Sequence, residues 1–78
     1  MSELAKLRWK CRRGMKELDL RLMDYLDSCY PGASVPEQEA FEALLDRQDP
    51  ELYDYLTGRA QPATEEQRRV VDALRRTP

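Results

Sequence analysis

The chain has 78 residues, of which 41% are apolar and 36% are charged, and its formal net charge is −2. A chain of this length forms one domain, residues 1–78, and buries only about 60–65% of its unfolded surface, which leaves no room for a deep cofactor cavity. It contains no histidine, the commonest general base, and no run approaches the roughly 20 apolar residues of a membrane span. These properties argue against a self-contained enzyme and favour a small module that contacts a larger partner.

Charge is distributed unevenly along the chain. Residues 1–16 carry six cationic side chains against Glu3, a net charge of +5, whereas the other 62 residues carry seven basic and fourteen acidic groups, a net charge of −7. This polarity indicates an electrostatically oriented contact with a partner. Cys11 and Cys29 lack the spacing of a metal or redox motif, so we expect two reduced thiols and no zinc site.

The first predicted helix covers about residues 3–12. Leu4, Leu7 and Cys11 fall on one stripe of it, and Trp9 lies to the side. The second predicted helix covers about residues 15–29 and ends at a proline and a glycine. Its apolar residues recur at the spacing of an amphipathic helix: Met15, Leu18, Leu22, Tyr25, Leu26 and Cys29.

The third and fifth predicted helices each begin at a capping box, in which a hydroxyl side chain precedes a glutamate or glutamine by three residues. The third opens at Ser34 with Glu37, and the fifth opens at Thr64 with Gln67. The apolar residues expected to be buried are Phe41, Leu44 and Leu45 in the third helix and Val70, Val71 and Leu74 in the fifth.

The fourth predicted helix begins with Asp49 as its N-cap and Pro50 at the first helical position. Gly58 is the expected C-terminal stop. Its apolar stripe is Leu52, Tyr53 and Leu56, and Tyr55 is expected to face outwards. Because no segment alternates with the period of a strand, the sequence predicts an all-α fold, a compact bundle of about five short helices.

Gly14 stands in the most basic stretch of the chain, CRRGMKELD, between the first two predicted helices. One interpretation is a hinge that ends one helix or caps the next. The other is a point where the missing side chain lets a second backbone or a ligand approach closely. Glu17 lies four residues from both Arg13 and Arg21, so a surface ion pair with either is also expected if the helix is continuous.

The basic run from Lys6 to Lys16 is by default a solvated face. Trp9 and the arginines Arg12 and Arg13 in the middle of this run make a binding surface the alternative, because tryptophan and arginine are enriched at interface hot spots. Guanidinium groups also recognise carboxylates and phosphates in a bidentate manner.

The run from Trp9 to Asp19 resembles the signature of the SdhE family of FAD assembly factors, which promote flavinylation of succinate dehydrogenase. The family's arginine-glycine-x-x-glutamate element is matched by Arg13, Gly14 and Glu17. A second stretch, residues 49–56 with the sequence DPELYDYL, resembles the family's later Asp-Pro segment. Length, helix number and motif order agree as well, so the resemblance covers nearly the whole chain.

This resemblance implies an assembly factor, and not an enzyme. Its partner would be the flavoprotein subunit of succinate dehydrogenase or fumarate reductase, and it would promote covalent attachment of FAD to a histidine of that subunit. The chain would bind no cofactor stably and would act on the FAD of the client protein. The residues implied in partner binding are Trp9, Arg12, Arg13, Gly14, Met15, Glu17, Asp19, Asp49 and Pro50.

Within this group the resemblance suggests three roles. Gly14 would let the helix junction enter the client's flavin cleft, and Arg13 would anchor to client backbone or carboxylates. Glu17 would place a carboxylate near the linkage site, where it could hydrogen-bond the client or orient its histidine.

Two other functions are compatible with the residues alone, a small helical adaptor and a nucleic-acid-binding module that uses the basic N-terminal segment. The net charge of −7 on the rest of the chain disfavours nucleic acid. We further expect a monomer in the free state, no direct membrane insertion, and a location in the bacterial cytoplasm. Which flavoprotein is the client is left open, and so is the role of the loop over residues 30–39.

Overall fold

A computed structural model describes residues 3–76, which form five α-helices joined by short loops, with no strand in this range. The helices are α1 (Glu3–Lys10), α2 (Lys16–Ser28), α3 (Val35–Leu45), α4 (Asp49–Thr57) and α5 (Glu65–Arg75), and a 3-10 turn (Tyr30–Gly32) follows α2. The predicted all-α bundle is confirmed.

Three helix ends are formed by the side chains or backbone conformations that the sequence predicts. The Ser34 hydroxyl accepts a hydrogen bond from the Glu37 amide at the start of α3, and the Thr64 hydroxyl accepts one from the Gln67 amide, at 3.1 Å, at the start of α5. Each bond satisfies an amide that has no partner inside its helix. Gly58 ends α4 with φ +81°, a left-handed conformation that favours glycine.

A single hydrophobic core lies between the helices, with α3 packed most extensively against α5 and α2 packed against both α1 and α5. Phe41 of α3 is fully buried, and its ring centroid lies 4.6 Å from that of Tyr25 in α2. Burial of one side chain of this size contributes about 1.5–3 kcal/mol. The core residues are Leu7, Cys11, Leu18, Leu22, Tyr25, Leu26, Ala40, Phe41, Leu44, Leu45, Leu52, Val70, Val71 and Leu74.

The predicted start and face of the fourth helix are wrong in two details. Gln48 is the N-cap and Asp49 is the first helical residue, so Pro50 stands one position later than predicted. Tyr53 is exposed, whereas Tyr55 is half-buried against the core. The helical period explains the exchange, because the residue three positions after Leu52 shares its face and the residue one position after it does not.

Besides Tyr53, three further residues of the predicted apolar stripes lie outside the core. Leu4 is 52% exposed, because α1 meets the rest of the molecule through its C-terminal end, where Leu7 and Cys11 are buried. Met15 is exposed and precedes the first residue of α2. Cys29 follows the last residue of α2 and is exposed as well.

Candidate partner-binding site

Residues 11–15 form the connection between α1 and α2, and the buried Cys11 fixes its start. The Cys11 amide continues the hydrogen bonding of α1 by donating to the Leu7 carbonyl at 3.1 Å. Its thiol is fully buried, and this burial raises the pKa of Cys11 to about 11. The thiol is therefore protonated at neutral pH and serves as an apolar anchor for the loop, since the nucleophile would be the thiolate.

Gly14 turns the chain between the two helices, with φ +83°. Apart from the glycine itself and its two chain neighbours, no atom of residues 3–76 lies within 4 Å of the position that a β-carbon would occupy, so the space beside the glycine is open. The left-handed conformation, and not crowding inside this chain, is what favours glycine at position 14. Gly14 neither ends α1, whose last residue is Lys10, nor caps α2, whose N-cap is Met15. It forms the turn between the two helices and leaves a stretch of backbone exposed.

The carboxylate of Asp19, in the first turns of α2, holds this connection in place. Its Oδ1 accepts a hydrogen bond from the Arg13 amide at 2.7 Å, and its Oδ2 accepts one from the Gly14 amide at 3.3 Å. The Asp19 amide in turn donates to the Met15 carbonyl at 2.8 Å. A negative side chain near a helix N-terminus is favourable, and here it also satisfies two loop amides.

The Arg13 side chain points into the protein and is only 15% exposed. Its Nη2 donates to the Leu45 carbonyl, and its Nη1 donates to the Arg47 carbonyl at 3.0 Å and to Asp49 Oδ1 at 3.4 Å. The guanidinium therefore satisfies carbonyls at the C-terminal end of α3, where a cation is also favoured by the helix dipole. Its Nε is buried and has no hydrogen-bond partner within residues 3–76.

The ion pair between Arg13 and Asp49 brings together the two sequence motifs, which lie 36 residues apart in the chain. Asp49 is half-buried at the first position of α4, and Pro50 beside it is exposed. Arg13, Asp19 and Asp49 were all expected in partner binding, and the structure engages their polar groups in contacts within this chain.

The other predicted partner-binding residues around this loop present their side chains or backbone to solvent. Trp9 is 69% exposed, Arg12 and Met15 are also exposed, and Gly14 has open space beside it. The Glu17 side chain is 71% exposed, although Arg21 Nη2 lies 3.3 Å from its Oε1. This pair is one of the two surface ion pairs that the sequence allowed. We call Trp9, Arg12, Gly14, Met15 and Glu17 the exposed motif face.

A shallow depression adjoins the exposed motif face between the end of α1 and the end of α3. It is lined by Trp9, Lys10, Arg12, Arg13, Leu45 and Asp46. Its walls combine an aromatic ring with cationic side chains, a composition that suits a partner surface carrying apolar and acidic groups.

Acidic residues from the rest of the chain neutralise half of the N-terminal basic cluster. Arg8 pairs with Asp27, Lys10 Nζ lies 3.2 Å from Asp46 Oδ1, and Arg13 pairs with Asp49. The charge separation along the sequence is therefore smaller in space, which disfavours nucleic acid as the partner of this segment.

Two features of this region were not predicted from the sequence. Leu20 on α2 is 59% exposed. The only sequence signal for this exposure is that Leu20 does not belong to the predicted apolar stripe of the helix. Arg21 is half-buried, and its Nη1 donates to the Leu74 carbonyl at 2.9 Å. It thereby joins α2 to the C-terminal end of α5, a contact between distant segments that helical periodicity does not reveal.

The described residues offer no cluster of three or more potential metal ligands. Within the same range, no helix has the length and apolar character needed to cross a membrane.

The protein is a small helical bundle. Its loop over residues 11–15 is held by hydrogen bonds to the bundle and lies beside an exposed tryptophan, methionine and glutamate. These features define a protein-interaction module. Comparison with known families makes this specific. Residues 5–78 match the family described as flavinator of succinate dehydrogenase, and the chain belongs to that family. The family resemblance predicted from the two motifs is confirmed.

The chain is also similar to curated proteins named FAD assembly factor SdhE. It is 52% identical to the one from Methylococcus capsulatus over 62 residues, which cover 80% of this chain and 75% of the relative. It is 42% identical to the one from Coxiella burnetii over 66 residues, which cover 85% of this chain and 80% of the relative. A relative from Aliivibrio fischeri is 43% identical over 56 residues, 72% of this chain and 65% of the relative.

Proposed function

We propose that this protein is an FAD assembly factor that binds the flavoprotein subunit of succinate dehydrogenase or fumarate reductase and promotes covalent attachment of FAD to it. Membership of the flavinator family and similarity to FAD assembly factors support this function. The observation that carries it in the structure is the exposed motif face. The loop is held rigidly from inside by Asp19 and Arg13, while Glu17 and Trp9 remain exposed.

The proposed role is one of binding and orientation, without catalysis by the chain itself. Covalent flavin attachment requires a client histidine to be aligned with the isoalloxazine ring, and holding reacting groups in place lowers the entropic part of a barrier. Because a preformed surface loses little conformational entropy on binding, the pinned loop favours this role. The client protein supplies both the FAD and the histidine.

Four residues of the exposed motif face have proposed roles in binding the client. Trp9 and Met15 supply apolar contact area on either side of the glycine. Gly14 lets the client surface approach the backbone, since no side chain of the described residues occupies the space beside it. Glu17 presents a carboxylate that accepts a hydrogen bond from a client group close to the attachment site. The client then releases the chain, which keeps no cofactor of its own and acts as a monomer.

Replacing Glu17 with glutamine tests the carboxylate directly. The measurement is in-gel flavin fluorescence of the client subunit, coexpressed with each variant in cells that lack their own assembly factor. Glutamine keeps an acceptor oxygen but loses the charge, and a hydrogen bond to a charged group is worth about 1 kcal/mol more than a neutral one, so we expect covalent FAD on the client to form about fivefold more slowly with Glu17→Gln.

Glu65→Gln is the matched control for this substitution. Glu65 is also 71% exposed at the start of a helix and pairs with an arginine four residues later, Arg69, at 3.1 Å. Both variants lose a similar surface ion pair, so they should unfold at similar temperatures. Equal flavinylation with the two variants would contradict the role of Glu17, and no flavinylation above background with the unmodified chain would contradict the proposed function.

A further inference from the structure

We infer that Arg13 is a positioning residue, which fixes the exposed motif face from inside the protein and makes no direct contact with the client. This inference rests on the proposed function, and it assigns Arg13 a role that differs from the anchor implied by the family resemblance. The client then contacts Gly14 and Glu17 of the motif. Arg13 and Asp49 make contacts inside the protein that hold these two residues in position.

The first argument comes from the donors of the guanidinium. Nη1 and Nη2 are already bonded to the carbonyls of Leu45 and Arg47 and to the Asp49 carboxylate. The side chain is 15% exposed, and its Nε is buried. Three of its five N–H groups are thus engaged and a fourth is buried, so Arg13 could bind a client carboxylate in a bidentate manner only by giving up a bond within this chain.

The second argument comes from the position of Arg13 in the chain. Its backbone amide is bound by Asp19 of α2, and its side chain is bound to the segment between α3 and α4. One residue therefore ties the loop over residues 11–15 to two separate parts of the bundle. Gly14 follows immediately, and its amide shares the same Asp19 carboxylate, so its left-handed conformation depends on where Arg13 is held.

The third argument is a comparison with the neighbouring arginine. Arg12 is exposed, and residues 3–76 provide no ion pair or side-chain hydrogen bond for it. A cation that contacts the client is expected to be exposed and without side-chain hydrogen bonds or ion pairs inside the described part of the chain, as Arg12 is. A cation that supports the loop is expected to be largely buried and hydrogen-bonded, as Arg13 is. The two adjacent arginines thus provide a matched pair for the experiment.

The test compares Arg13→Lys with Arg12→Lys, both of which keep the positive charge. A lysine ammonium group lacks the planar arrangement of donors with which the guanidinium binds the Leu45 and Arg47 carbonyls and the Asp49 carboxylate together. In Arg13→Lys we expect the Gly14 amide to exchange its hydrogen at least about tenfold faster, after correction for the intrinsic rate, because its hydrogen bond to Asp19 opens more often. The core amide of Val70 should exchange at the rate of the unmodified chain, and Arg12→Lys should change neither amide.

Client flavinylation is the second measurement on the same variants. Both Arg13→Lys and Asp49→Asn should slow flavinylation of the client. The variant that carries both substitutions should be little slower than Arg13→Lys alone, because both substitutions act through one contact. Glu65→Gln, which breaks the exposed pair with Arg69 in α5, is the control for Asp49→Asn.

Three results would overturn the inference. The first is slower flavinylation by Arg13→Lys with an unchanged Gly14 exchange rate, which would mean that Arg13 contacts the client. The second is faster exchange at Gly14 and Val70 together, which would make Arg13 a contributor to overall stability only. The third is faster Gly14 exchange with normal flavinylation. Since the exchange measurements need no client, they test the contact even if the proposed function fails.

Discussion

At the scale of single residues, the motif separates into groups that face the solvent and groups that face the protein. Gly14 and Glu17 are exposed, whereas Arg13 and Asp19 form hydrogen bonds to the loop and to neighbouring parts of the chain. Sequence spacing alone places all four in one motif, because a short pattern does not show where each side chain points. The distinction matters for mutagenesis, since a loss of function at Arg13 and one at Glu17 have different causes.

Gly14→Asn separates the conformational role of the glycine from its role as a point of close approach. Asparagine tolerates a left-handed conformation, so a φ of +83° should cost little stability, about 1 kcal/mol or less. The new side chain nevertheless occupies the open space beside the loop. We expect near-normal thermal unfolding and at least about tenfold slower flavinylation of the client, because a steric clash of only about 1.4 kcal/mol is enough for that change.

Gly58→Asn is the control, since Gly58 has almost the same φ, +81°, but lies at the end of α4 outside the exposed motif face. A β-carbon at this position would lie 3.4 Å from Nη2 of Arg75, at the flexible end of that side chain. This variant should support flavinylation fully. Gly14→Val is less informative, because a β-branched residue with positive φ is strained by about 1–3 kcal/mol and confounds stability with binding. Normal flavinylation by Gly14→Asn would show that the client does not approach the chain at this point.

At the scale of helices, the sequence predicts most of what the structure shows, because capping and periodicity are local properties. Ser34 and Thr64 cap the helices that they were expected to cap, and Gly58 ends α4. Some errors occur where a boundary moves by one residue, as at Asp49, Met15 and Cys29. Another occurs where two tyrosines two residues apart compete for one stripe, as at Tyr53 and Tyr55, and the burial of Leu4 was expected because the sequence does not show which end of α1 meets the core. The contact between Arg13 and the α3–α4 segment could not be predicted, since it depends on the packing of helices distant in sequence.

Thr64→Ala should test whether a helix cap far from the motif affects function. The variant loses the hydrogen bond from the Gln67 amide, at 3.1 Å, and we expect the free energy of unfolding to fall by about 1 kcal/mol. For a domain of this size that corresponds to a melting temperature lower by about 4–8 °C, measured by circular dichroism. Flavinylation at 25 °C should stay normal. A loss of flavinylation equal to that of Glu17→Gln would mean that general stability limits activity.

At the scale of the whole molecule, one core couples the motif to the bundle. Cys11 is the first residue of the loop, and it packs in the same core as α2 and α3. The charge pairs of the basic segment reach the same elements, since Arg8 contacts Asp27 at the end of α2 and Lys10 contacts Asp46 after α3. The loop is therefore held by apolar burial on one side and by hydrogen bonds and ion pairs on the other.

The buried thiol of Cys11 makes the stability of this unit dependent on pH in the alkaline range. Its pKa is raised from an ordinary value of 9.0 to about 11, chiefly by burial. Between these values the unfolded chain loses the proton before the folded one, so the unfolded state binds fewer protons and stability falls as pH rises. The contribution is fully present below pH 9 and is lost by about pH 11.

Cys11→Ala should remove this part of the pH dependence. We expect the urea midpoint of the unmodified chain to fall between pH 9 and 11 more steeply than that of Cys11→Ala, whose midpoint at pH 7 is itself lower because a buried group is deleted. Cys29→Ala is the control, because Cys29 is exposed. Tyr25, whose pKa burial raises to about 12, contributes equally to all three proteins and cancels in the comparison. Parallel curves for the unmodified chain and Cys11→Ala would show that the thiol is not held in the core in solution.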